Sequence, residues 1–167
     1  DATLASDTAS AIDVVADAVQ RVPGYDIVVL LQPTSPLRTA IDIDNALQRM
    51  VTMDAPACVT VRPAEVHPYW TFRIGGTGRL ARFVDPSEHT SLRRQDLPDA
   101  WSLNGAVYAA RVSWFLRERT FLSPQTVGQP MPADRSLDID TREDVERFRV
   151  IVRHMRSDFN ESISTPR

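Results

Sequence analysis

Asp26 to Arg38 reads DIVVLLQPTSPLR. Its first half is a continuous apolar run, the pattern of a strand buried on both faces in a parallel sheet. Its second half breaks that strand, because Pro33 and Pro36 cannot donate to a ladder and force a loop. The loop carries an amide, two hydroxyls and a guanidinium (Gln32, Thr34, Ser35, Arg38) at the C-terminal end of a strand. Open α/β sheets bind their ligands at such ends.

Outward from this stretch, strands and helices alternate. Upstream, Ile12, Val15, Val19 and Val22 form one stripe, which predicts a helix over Ala11 to Val22. Ser10 with Asp13 resembles a capping box at its start, and Pro23-Gly24 stops it. Downstream, Thr39 with Asp42 caps a helix running to about Met53, and Ala57 to Arg62 (ACVTVR) is a second buried strand. Tyr69 to Ile74 and Arg79 to Val84 flank Gly75-Gly76-Thr77-Gly78, a hairpin signal that departs from the main rhythm. Asn104 to Ala110 (NGAVYAA) reads as a third core strand, followed by a short helix near Ser113 to Arg119. Ser136 to Ile139 reads as a short strand, and Thr141 with Asp144 caps a last helix to about Met155. The tail over 157–167 has no pattern and is expected to fray. The implied fold class is α/β, a three-layer sandwich around a mostly parallel sheet, with 1–156 as its single domain. Because the series starts on a helix, at least one strand at one end of that sheet is expected to lie outside it.

Composition narrows the chemistry. The 167 residues are 43% hydrophobic and 25% charged with a formal net charge of −3, which gives no support for a nucleic-acid binder. No apolar run approaches the roughly 20 residues that span a bilayer. The start at Asp1 reads as a run-in to a helix, not as a signal peptide. Cys58 is the single cysteine, so an internal disulfide is excluded and a reducing cytoplasm is the expected setting. Every Lys+Arg residue is arginine. A Schiff-base lysine and a Walker A lysine are therefore absent from these residues.

Asp138 and Asp140, in Ser136 to Thr141 (SLDIDT), are candidate ligands for a divalent metal. Where a strand turns into a helix, carboxylates at alternate positions can reach one ion. Hard oxygen donors of this kind suit Mg²⁺, which takes one or two protein carboxylates plus substrate phosphates. The alternative is that one aspartate caps the next helix and the other is solvated. Arg93-Arg94-Gln95-Asp96-Leu97-Pro98 offers guanidinium groups for carboxylates or phosphates. Asn104-Gly105, at a strand start, permits close backbone approach to a ligand. His67, His89 and His154 lack metal-ligand spacing.

In company, LASDTASAID (Leu4 to Asp13), LLQPTSPLR (Leu30 to Arg38), RRQDLP (Arg93 to Pro98), LNGAVY (Leu103 to Tyr108) and SLDIDT closely resemble the acylneuraminate cytidylyltransferases. The resemblance covers nearly the whole chain and implies a nucleotide-diphospho-sugar transferase-like fold. It also implies a reaction: a nonulosonic (sialic-type) acid and CTP give a CMP-sugar and pyrophosphate. On this basis Asp138 and Asp140 hold Mg²⁺ (or Mn²⁺), and Asp140 is a candidate to help deprotonate the nucleophile. Gln32, Arg94, Asn104 and Tyr108 line the sugar pocket, with Arg94 the catalytic-site partner of the sugar carboxylate. Phe121 packs on the acyl group and Ser10 touches the nucleotide. The excursion over about 63–98 corresponds to a dimerisation arm, so the resemblance implies a homodimer.

The family's glycine-rich segment with its Arg and Lys is not among these residues. The reading open beside the enzyme is therefore a non-catalytic module for dimerising or sugar binding. Sialic-acid members often carry a lysine where Tyr69-Trp70 stands and an arginine where Ser102 stands. Those departures point to a related sugar such as a legionaminic or pseudaminic acid.

Overall fold

The computed structural model describes residues 10–85 and 92–164, with the side chains of 156–164 left undescribed. Its elements are α1 (Ala11–Arg21), β1 (Ile27–Leu30), α2 (Ala40–Thr52), β2 (Ala57–Pro63), β3 (Phe72–Ile74), β4 (Leu80–Arg82), β5 (Trp101–Arg111), α3 (Val112–Glu118), β6 (Val127–Pro130) and α4 (Arg142–Ser164). Helix starts follow the capping chemistry. Ser10 accepts from the Ile12 amide at 3.2 Å at the start of α1. Thr39 and Asp42 form a reciprocal capping box on α2, and Thr141 and Asp144 do the same for α4.

The four-stranded sheet has the order β1-β5-β2-β6. It is mixed rather than mostly parallel: β5 runs antiparallel to both β1 and β2, and only β2 and β6 pair in parallel. The connection explains this. β2 leaves the sheet at its C-terminal edge, and the β3–β4 hairpin takes the place of a crossover helix. The chain then re-enters from the edge it left, so β5 must run backwards. The expectation of a doubly buried strand at 26–32 is also corrected. All four residues of β1 are half-buried, and among the described residues its partner is β5, running antiparallel.

Alternation along β2 and β5 divides the core. Ala57, Val59 and Ala110 meet Val15 and Ala16 of α1 and Trp114 and Phe115 of α3 on one face. Cys58 and Ala109 meet Ala46 and Met50 of α2 on the other. Burial raises the Cys58 thiol to about 11, so at neutral pH it is an uncharged core side chain.

Two further readings change. No strand forms at 136–139, and the sheet's outer place is taken by β6, a Val-Gly-Gln-Pro segment without a strand-like pattern. α4 continues to Ser164, past the expected end near Met155. Leu4 to Ala9, His89 and the last residues of the tail (165–167) lie outside the described residues. Among the described residues no helix is long and apolar enough to cross a membrane.

Candidate functional site

The site forms where the NGA motif interrupts β5. Register passes from Val59↔Tyr108 to Val61↔Leu103, so Thr60 alone is set against Asn104, Gly105, Ala106 and Val107. This is a bulge in mid-strand, not the strand start inferred from sequence. Gly105 takes φ +71°, a left-handed conformation open to glycine at little cost. Around it three oxygens converge. A Cβ on Gly105 would lie 2.7 Å from Asp138 Oδ2, 2.8 Å from Ser35 Oγ and 2.9 Å from Gln32 Oε1. The glycine is what lets these groups share one place.

Buried hydrogen bonds hold the bulge and the loops beside it. Thr60 Oγ1 donates to Asn104 Oδ1 at 2.7 Å and accepts from the Val107 amide at 2.9 Å. Asn104 Nδ2 donates to Ser136 Oγ at 3.0 Å, and its Oδ1 also accepts from the Ala106 amide. The Ser35 hydroxyl lies 3.0 Å from the Asn104 carbonyl and 3.2 Å from Asp138 Oδ1, one proton facing two acceptors. Arg38 donates to the carbonyls of Gln32 and Ser35 at 2.6 and 2.7 Å, stapling the two-proline loop shut. The Ile139 amide donates to the Thr34 carbonyl at 2.8 Å and joins the SLDIDT loop to that loop.

The inferred residues therefore separate. Gln32 and Asp138 meet at Gly105. Asn104 is 1% exposed and its side chain is committed to Thr60, Ala106 and Ser136, so it shapes the site rather than lining a pocket. Gln32, Tyr108 and Phe121 share a hollow of about 200 Å³ with Leu103 and Ile12, beside the α1 N-terminus that Ser10 caps. The rings of Tyr108 and Phe121 meet edge-on at 5.7 Å. Burial, and then the Asp138 carboxylate, push the Tyr108 phenol up, which ties this hollow electrostatically to Asp138. Arg94 stands apart, exposed on a smaller hollow of about 110 Å³ with His67, Trp70 and Pro98.

The two aspartates also differ. Asp138 is half-buried and Asp140 exposed, both in a loop without regular structure. Capping of α4 is done by Thr141 and Asp144; Asp140 takes part only through its amide, which donates to Asp144. Hydrogen bonds from Thr141 hold the Asp144 carboxyl below its usual range, as suits a cap. Among the described residues no group of three or more His, Cys, Asp or Glu forms a metal cage. Carboxylates with neighbouring amide and hydroxyl oxygens are still a fitting donor set for Mg²⁺, which leaves coordination positions to substrate phosphates and water.

The sequence offered the Ser35 hydroxyl with its loop but passed over Thr60 as a site-builder. A threonine is unremarkable in a strand, and only the register across the bulge brings Thr60 to Asn104.

No family model matches the chain. Among curated proteins it is similar to the N-acylneuraminate cytidylyltransferase of Streptococcus agalactiae serotype V, 30% identical over 93% of this chain and 37% of that protein. The enzyme of the same name from Escherichia coli O18:K1:H7 is 28% identical over 86% of the chain and 34% of its own length. The CMP-N,N'-diacetyllegionaminic acid synthase of Legionella pneumophila is 29% identical over 83% of the chain and 60% of its own length. The chain thus spans little more than a third of the first of these relatives. Across that shared segment, this chain is a homologue of the acylneuraminate cytidylyltransferases.

Proposed function

We propose that the chain carries the sugar- and metal-binding part of a transferase that moves CMP from CTP to the anomeric hydroxyl of a nonulosonic acid. The observation that carries this is the bulge at Gly105, where Asp138, Ser35 and Gln32 converge beside the Tyr108–Phe121 hollow. In the reaction the sugar hydroxyl oxygen attacks the α-phosphorus in line. The bond from that phosphorus to the bridging oxygen breaks, pyrophosphate leaves with the electron pair, and the hydroxyl proton passes to a nearby base, for which Asp140 is the candidate. Nucleotidyl transfer of this kind is mostly positioning and charge stabilisation. Mg²⁺ held by Asp138 and Asp140 would supply charge neutralisation on the triphosphate.

The protein's own groups divide the remaining work. Gln32 offers its amide to the sugar's hydroxyls, and Tyr108 and Phe121 take its acyl group; Arg94, on the separate hollow with His67 and Trp70, is assigned to its carboxylate on the family resemblance alone. Ser10 stands at the nucleotide side. The core clusters on both sheet faces support the three-layer reading. Phe72, Ile74, Leu80 and Phe83 are exposed on and beside the hairpin, which fits an arm that packs on a second copy. The cytoplasm is the setting this reading implies.

The sugar is read as a nonulosonic acid, with legionaminic and pseudaminic types alongside sialic acid. At the two departures from sialic-acid members, the Trp70 indole is tied to the Leu92 carbonyl at 3.0 Å, and Ser102 lies across from Arg62. The test is pyrophosphate release by the full-length gene product with CTP, Mg²⁺ and a panel of sialic, legionaminic and pseudaminic acids. Release with at least one of them, and with CTP over other nucleotides, is expected. Sugar binding without release from any of them would favour the non-catalytic module.

A further inference from the structure

We propose that the Asp42–Arg135 ion pair is a positioning device that sets the place of the Asp138 loop from α2, a helix that supplies no group to the site itself. Asp42 is 4% exposed, and Arg135 grips it with two bonds, Nη2 to Oδ1 at 2.8 Å and Nε to Oδ2 at 3.1 Å. The same Oδ2 accepts from the Thr39 amide and hydroxyl, so the carboxylate is anchored to the first turn of α2 before Arg135 reaches it. Two bonds in a planar fork fix orientation as well as distance.

The loop needs such an anchor. Residues 136–140 have no regular structure; beyond a turn bond from the Ser136 amide to the Ala133 carbonyl and one from the Asp140 amide to the Asp144 cap, no ladder or helix hydrogen bonds place them. Their position rests on separate tethers: Arg135 to Asp42, Ser136 to Asn104 and Pro132, Ile139 to Thr34, and Asp138 to Ser35. Asp42, Ser35, Thr60, Asn104 and Ser136 are all the buried polar residues among those described. Each of them belongs to these tethers or to the bulge they join. Elsewhere the described interior is apolar. Buried polar groups are costly unless fully paired, and here they cluster where one flexible loop must be held.

This inference takes its significance from reading Asp138 as a metal ligand, but its test needs neither nucleotide, sugar nor metal. Amide hydrogen exchange on the full chain is followed through 132–141 and compared with β2 and β5. Arg135→Met should speed exchange at the Ser136 and Ile139 amides by about tenfold or more while β2 and β5 keep their protection. Arg135→Lys, which retains a charge, should restore part of it. Because Arg135→Met leaves a carboxylate buried and unpaired, the double variant Asp42→Asn with Arg135→Met is measured beside it. It should show the same local loosening with a smaller loss of global stability. Unchanged protection at Ser136 and Ile139, or loss spread evenly over β2 and β5, would overturn the proposal. Absence of turnover in the unmutated enzyme would instead bear on the transferase reading alone.

Discussion

The β5 bulge at Gly105 and the β3–β4 hairpin hold opposite arrangements of the same materials. At the bulge, polar side chains are buried and every one named has a partner: Ser35, Thr60, Asn104 and Ser136 are at most 2% exposed. On and beside the hairpin, apolar side chains are exposed, with Ile74 at 74% and Phe83 at 68%. The first arrangement spends desolvation on geometry. The second leaves apolar area in water that a partner surface can remove. The difference separates a region built to be exact within this chain from one that leaves apolar side chains in water.

The hardest blow to the bulge is Gly105→Ala. A Cβ there must enter space held by Asp138, Ser35 and Gln32 at 2.7 to 2.9 Å, on a backbone at φ +71°. Left-handed strain and overpacking together should cost about 3 kcal/mol, read as a shifted denaturation midpoint. A loss below about 0.5 kcal/mol would mean the convergence is looser than described.

Acid titration sharpens the comparison at intermediate size. Hydrogen bonding from Arg135 is the main cause holding the Asp42 carboxyl below its usual 3.8. A carboxyl depressed on folding adds stability that is complete above the unfolded value and lost as pH falls through the folded one. The stability gap between the unmutated chain and Arg135→Met should therefore be flat from about pH 5 to 7 and close below about pH 4. A gap independent of pH down to full protonation would show that the pair contributes packing and not charge.

The smallest effect belongs to the hairpin. Ile74→Thr with Phe83→Ser should leave the unfolding of a dilute sample within about 0.5 kcal/mol of the parent. The same pair should shift any self-association seen by sedimentation. A large stability loss in monomer would make the hairpin part of the core and erase the contrast.

Much of this was legible in the residues. Apolar periodicity placed α1 and α2, and capping pairs the starts of α2 and α4, because those signals are local; at α1 Ser10 caps without Asp13, which pairs with Arg119 instead. Gly75 to Gly78 marked the hairpin for the same reason. Strand direction was not legible: nothing in NGAVYAA states from which edge the chain re-enters the sheet. β6 escaped because Val-Gly-Gln-Pro is held by backbone pairing with β2, without side-chain alternation. SLDI imitated a strand by alternating Leu137 and Ile139 with polar residues, yet its tethers are side chains and one amide. Asp138 could be singled out from its motif. Arg135, which anchors its loop, could not, since Asp42 lies far away in the chain.

The central claim is that the Asp138 carboxylate at the Gly105 bulge serves nucleotidyl transfer. Its most direct test is the rate of pyrophosphate release from CTP and a nonulosonic acid by the full-length gene product, unmutated and as Asp138→Asn, at matched folded content. Loss of a charged metal ligand should lower turnover by about a hundredfold or more, with the unfolding midpoint little changed. Turnover in Asp138→Asn equal to that of the unmutated protein would contradict the account.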